Sequence, residues 1–436
     1  MTMKQIIIGF LLIIPVIKLD AQTTTTSFDV DGIKVIYKPT IKDIVNVSIY
    51  FRGGVNNYTS DKAGIEDLAV NGAVNCGTEK YTKDEFKNKI DLFGIQIGGS
   101  ASLDYADIKL NCISKYFNEG WDLFAEAVTK PVFNDNAFDE LKHRMLNALK
   151  ASESSPDNRL TTLALETAFE GTPYAINPDG NETTLNAITA QQAKEYYSKT
   201  LLNKSRIFIV VVGNISKEDI TAKIRAAFAN TPTLGYQPVV SKTPDFTDNS
   251  IKVEERHLQT NYIMGIMNAP TYNSPDYIPF RLAFSELGGI LFSELRIKHN
   301  LTYTPQAGLK MLQRPYSYVY VSTTNPSDAV EIIANSINRE EDEKIAQKGL
   351  DEIKGLYITS NCMKQETGAA IAEELAQAEI LGGWQMAEQL PDIISHTTRK
   401  EMFKAFKRYI NGIKWIYIGD KQKATDAQDA FDLPVR

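Results

Sequence analysis

β-branched and aromatic residues interleaved with polar ones mark the first ordered elements. Gly32-Ile-Lys-Val-Ile-Tyr and Asn46-Val-Ser-Ile-Tyr-Phe-Arg read as strands. The period then lengthens. Ile65, Leu68, Ala69 and Ala73 share one face of a helix predicted over Gly64 to Val74. Thr82-Lys-Asp-Glu85 is a capping box opening a second helix, with Gly94 placed to end it. Ile95 to Ser114 reads as paired strands. Helices follow near Tyr116 to Thr129, Asn136 to Ala151, Asn158 to Phe169 and Ala190 to Leu201. Arg206-Ile-Phe-Ile-Val-Val-Val-Gly213 has no alternation, the mark of a strand covered on both faces. A helix over Lys217 to Phe228 closes this half.

The stretch 230–250 is rich in Pro, Thr and Asp, without periodicity, and reads as a linker. After it the plan restarts. Asn261-Tyr-Ile-Met-Gly-Ile-Met parallels the strand at Val47, and Lys414-Trp-Ile-Tyr-Ile-Gly419 parallels the strand ending at Gly213. A period of half the chain means two copies of one α+β domain. At 436 residues the chain suits two domains. The expected division is 28–229, a linker at 230–250, and 251–436.

The N-terminus begins with Lys4 and the uncharged run Ile6 to Ile17, then Leu19-Asp20-Ala21. That run is too short to cross a bilayer, so residues 1–21 are expected to be a secretory signal peptide, with 22–27 a short flexible leader. The expectation is an exported chain, periplasmic or associated with the cell envelope, without a membrane span. Cys76, Cys112 and Cys362 allow at most one disulfide, and the pairing stays open. With 47 basic against 54 acidic residues the net charge is −7, a poor basis for binding nucleic acid.

Several landmarks together resemble a known family. They are Arg52-Gly-Gly-Val-Asn, Gly64-Ile-Glu-Asp-Leu-Ala-Val-Asn-Gly, Ser155-Pro-Asp-Asn-Arg159 with Pro173-Tyr174, Gly288-Gly289, and Glu294-Leu-Arg296 through Tyr303. In this order they resemble the M16 (insulinase, pitrilysin and mitochondrial processing peptidase) metallopeptidases. The resemblance implies an α+β fold of two homologous domains, each an antiparallel sheet with helices mainly on one face. It also implies a chamber that holds extended peptide.

Active M16 members carry His-x-x-Glu-His on a helix, with a further Glu downstream completing the zinc site. The resemblance aligns the two ligand positions with Asp67 and Asn71, the general base with Val70, and the distal ligand with Asn147. Valine cannot accept a proton, and an asparagine amide is a weak zinc donor beside imidazole. No realignment rescues the motif, because His143, His257, His299 and His396 are the only histidines and no two lie within four positions. Glu140 and His143 could form half a metal site, but a solvated helix face explains them, and no zinc or other cofactor is expected. Arg296 and Tyr303 match the pair that the family's other half directs at bound peptide, where a guanidinium fork grips carbonyls and a phenol donates to an oxyanion. The chain thus resembles the non-zinc subunit of bacterial M16 heterodimers. That implies a zinc-containing M16 peptidase partner and a peptide or unfolded-protein substrate. The competing expectation is a peptide-binding or scaffold component of a cell-envelope complex without peptidase activity. A third, an enzyme working from Glu140 and His143, requires metal in the isolated protein.

Overall fold

A computed structural model describes residues 24–239, 245–340 and 347–435. The expected signal peptide and the start of the leader lie outside them. The rest of the leader differs from expectation. Strand β1 (Thr26–Val30) already pairs with β2 (Ile33–Pro39), Thr26 opposite Tyr37. Thr25 is buried and donates to Glu388 of the second half. These polar side chains are ordered because the backbone beside them completes a sheet edge.

The first sheet continues with β3 (Ile44–Arg52), β4 (Gln96–Ala101), β5 (Tyr105–Ile113) and β6 (Ile207–Gly213), in the order β1-β2-β6-β3-β5-β4. The second contains β7 (Ser250–Glu255), β8 (Asn261–Asn268), β9 (Gln306–Lys310), β10 (Tyr316–Thr323) and β11 (Lys414–Gly419), in the order β7-β11-β8-β10-β9. Without β1 the two orders are the same, so the chain repeats one topology. Each sheet is antiparallel except for one parallel pair, β2 with β6 and β7 with β11. Both long central strands end in glycine for one reason. A Cβ at Gly213 would lie 2.6 Å from the Ile44 carbonyl oxygen, and one at Gly419 would lie 2.4 Å from Asn261 Oδ1.

Helices α1 (Ile65–Asn75), α2 (Lys83–Phe93), α3 (Phe117–Thr129) and α4 (Asp135–Ser154) belong to the first half. The Thr82–Glu85 capping box forms, and Gly94 ends α2 in the left-handed conformation. Helix α5 (Pro156–Ala168) starts two residues earlier than expected, because Ser155 caps it and Pro156 takes the first turn.

The two faces of each sheet are covered from different halves. Ile207, Ile209 and Val211 of β6 pack under the first half's own helices. Phe208, Val210 and Val212 pack with Ile371, Leu375 and Ala376 of the helix Gly368–Leu381 from the second half. Reciprocally, Leu160, Leu163 and Ala164 of α5 cover Ile416 and Ile418 of β11. Charge pairs cross the same seams. Glu379 takes Lys34 and Arg52, each at 2.8 Å, and Arg159 meets Glu254 at 2.8 Å.

Phe208→Ala is expected to cost about 3–5 kcal/mol. It should lower the urea midpoint of a single transition, because this side chain belongs to a core shared by both halves. Tryptophan fluorescence and far-ultraviolet circular dichroism should report the same midpoint; two separated transitions would contradict the exchanged packing.

Candidate functional site

Helix α1 enters through Gly64, which takes a left-handed conformation (φ 86°). A side chain there would strike Leu185. The helix lies against edge strand β4, and the approach is close at one point: a Cβ on Gly99 would come 2.9 Å from the Val70 carbonyl. Val70 is fully buried in the core. Asp67 and Asn71 share the neighbouring face. The Asn71 amide donates to Asp67 Oδ1 at 2.8 Å and to the Asp67 carbonyl at 3.1 Å. Burial, reinforced by the charge of Asp179, pushes the Asp67 carboxyl up to about 7, against hydrogen bonds from the Ala101 backbone and Asn71.

Asn147 is exposed on α4, as are Glu140 and His143, and Glu140 pairs with Lys83. The family's four zinc-site positions therefore hold one carboxylate already bonded to an amide, two amides and an aliphatic side chain. Among the described residues no group of three or more His, Cys, Asp and Glu side chains is arranged to hold a metal ion. This donor set does not fit zinc, whose sites use imidazole, thiolate and carboxylate. The three cysteines are free, Cys76 and Cys112 buried and Cys362 exposed.

Sequence reasoning missed Glu66, the residue before Asp67. It is fully buried, with Oε2 accepting from Asn57 at 2.9 Å and from the Tyr196 hydroxyl at 2.5 Å. Oε1 has no partner. Burial pushes its carboxyl up to about 7, although those bonds and the nearby Arg206 pull it down. A signal was present. Positions 66, 69, 70 and 73 form one helical stripe, apolar apart from Glu66.

In the second half, the helix Tyr277–Leu291 runs into a wider turn, Phe292–Lys298. That turn closes with the Leu301 amide donating to the Leu295 carbonyl at 2.8 Å, with Asn300 in the left-handed region (φ 51°). The reversal brings together the two residues singled out from the sequence. The Arg296 guanidinium lies 4.1 Å from the centre of the Tyr303 ring and 5.1 Å from that of Phe292. Tyr303 is 74% exposed, Ile297 68% and Phe292 41%. Among the described residues no carboxylate pairs with Arg296.

Residues 34–178 match the description Insulinase (Peptidase family M16), and residues 187–357 match Peptidase M16 inactive domain. The non-peptidase homolog YmxG of Helicobacter pylori is 22% identical over 331 residues, covering 74% of this chain and 76% of its own. A Streptomyces coelicolor protein named uncharacterized zinc protease SCO5738 is 22% identical over 344 residues, 74% of each chain. A crystal structure of a peptidase M16 inactive domain from Pseudomonas fluorescens superposes with a TM-score of 0.79 at 20% identity, covering 91% of this chain and 98% of that one. At that identity it establishes the shared fold.

Glu66 and Asp67 keep their protons to about pH 7 when folded, whereas unfolded carboxyls release them near pH 4. Their contribution to stability is therefore complete below about pH 4 and lost as the pH rises through about 7. Glu66→Gln and Asp67→Asn should each raise the melting temperature by roughly a few degrees at pH 8 and change it little at pH 4. Scanning calorimetry of the variants against the parent across this range would check the sign.

Proposed function

The chain belongs to the M16 peptidase family, and from that premise we propose that it is a non-catalytic subunit that pairs with a zinc-bearing M16 peptidase. It binds extended peptide and presents Arg296 and Tyr303 to the partner's site. The observation that carries this reading is the contrast between its two halves. The first has lost the zinc donors and the base, while the second holds a half-buried guanidinium stacked on an exposed phenol, with no carboxylate partner among the described residues. A guanidinium with no carboxylate partner among the described residues suits peptide carbonyls, and the phenol adjoining it is a hydrogen-bond donor.

Edge strand β4 supports the peptide reading. Among the described residues it pairs with β5 alone, and it has no proline and runs beside the face of α1 that carries Asp67 and Asn71. An extended peptide can join such an edge through main-chain hydrogen bonds. The charged and then apolar N-terminal run supports export to the periplasm or cell envelope. No helix among the described residues is long and apolar enough to cross a membrane.

Purified alone, the protein is expected to hydrolyse no peptide and to retain no stoichiometric zinc. Together with a partner that carries an intact His-x-x-Glu-His it should support cleavage. Arg296→Ala should then lower kcat by about 10²-fold, with the partner's zinc content unchanged by metal analysis. Undiminished turnover in that variant would favour the scaffold reading.

A further inference from the structure

One residue beyond Tyr303, Thr304 lines a hollow of about 300 Å³ on the second sheet, walled by α5, β9 and β10. The register of the two strands sets out its groups. Tyr316 is opposite Lys310, Tyr318 opposite Gly308, and Tyr320 opposite Gln306. Gly308 keeps the space over Tyr318 open, since a Cβ there would lie 3.1 Å from the phenol oxygen.

The hollow is electrically divided. At one end the Tyr320 hydroxyl donates to Asp157 at 2.5 Å. At the other, the Lys310 ammonium lies 5.7 Å from the Tyr318 ring centre. Among the described residues Lys310 has no carboxylate partner, and the Tyr318 hydroxyl has no hydrogen bond. Tyr318 and Tyr320 are two residues apart on β10, which separates the two ends by roughly 7 Å.

We propose that this hollow is a subsite for a peptide carboxylate, seated between the Lys310 ammonium and the Tyr318 hydroxyl. The inference rests on the peptide-binding reading above and adds a charge preference to it. Asp157 repels an anion from the far end, and Lys310 draws it to the near one, so the two charges also fix the direction in which an acidic segment lies. A charge-assisted bond to the ammonium and a second bond from the phenol suit a carboxylate. An uncharged amide could accept from the same donors but without the attraction between opposite charges. The carboxylate can come from an Asp or Glu side chain or from a free C-terminus.

The test uses the full mature chain and fluorescence anisotropy with three labelled peptides sharing one unstructured sequence of Leu, Thr and Ala. One carries an internal Glu and a C-terminal amide, one an internal Gln and a free C-terminus, and one an internal Gln and an amide. At least one carboxylate peptide should bind about tenfold tighter than the neutral one, and which one does identifies the source. Lys310→Glu, at an exposed position that should not disturb folding, should abolish that preference. Tyr318→Phe should reduce the preference about threefold. Equal binding of all three peptides, or a preference that survives Lys310→Glu, overturns the subsite and leaves the peptide reading standing. No binding of any peptide overturns both.

Discussion

Every residue of β6 from Ile207 to Gly213 is buried. A strand with apolar side chains on both faces needs a packed layer on each side. Here the two layers come from different halves, and β11 is served in the same way by α5. Neither sheet can bury its apolar surface alone. The exchange of helices therefore joins two repeats into one cooperative body. Glu379 and Arg159 add direction to that seam: a buried carboxylate facing Lys34 and Arg52 permits one seating of the helix against the sheet.

The rigid body has a chemical consequence. Helix α1 is held by β4, with Val70 against Gly99, whether or not its polar face does chemistry. With zinc donors gone, that face holds an Asp67–Asn71 pair, and the adjacent stripe admits a buried Glu66. Burial favours the protonated form of both carboxyls.

The second half bears the exposed chemistry. Arg296 and Tyr303 are brought together by a helix that widens and then reverses at Asn300, and the hollow beyond Thr304 continues from that turn. A guanidinium and an ammonium with no carboxylate partner among the described residues lie on one half of a chain whose other half lacks the family's zinc donors. That asymmetry between two copies of one topology is what the functional reading explains.

Much of this was legible in the residues. The capping box at Thr82, the uniformly apolar β6, the repeat of strands at Asn261 and Lys414, and the absence of histidine before His143 are local facts. They depend on side-chain type and spacing alone, so the sequence by itself determined the α+β repeat and the loss of the zinc donors. Which helix covers which sheet was decided only in three dimensions, because α5 and β11, or β6 and Leu375, meet across distances in the chain that no periodicity records. The ordering of Thr25 and Thr26 was hidden likewise, since it comes from Glu388 and Tyr37 rather than from their own polar character. The same holds for the burial of Glu66 and the stacking of Arg296 on Tyr303. A carboxylate's environment and a cation's lack of partner are properties of neighbours in space, which the order of residues does not specify.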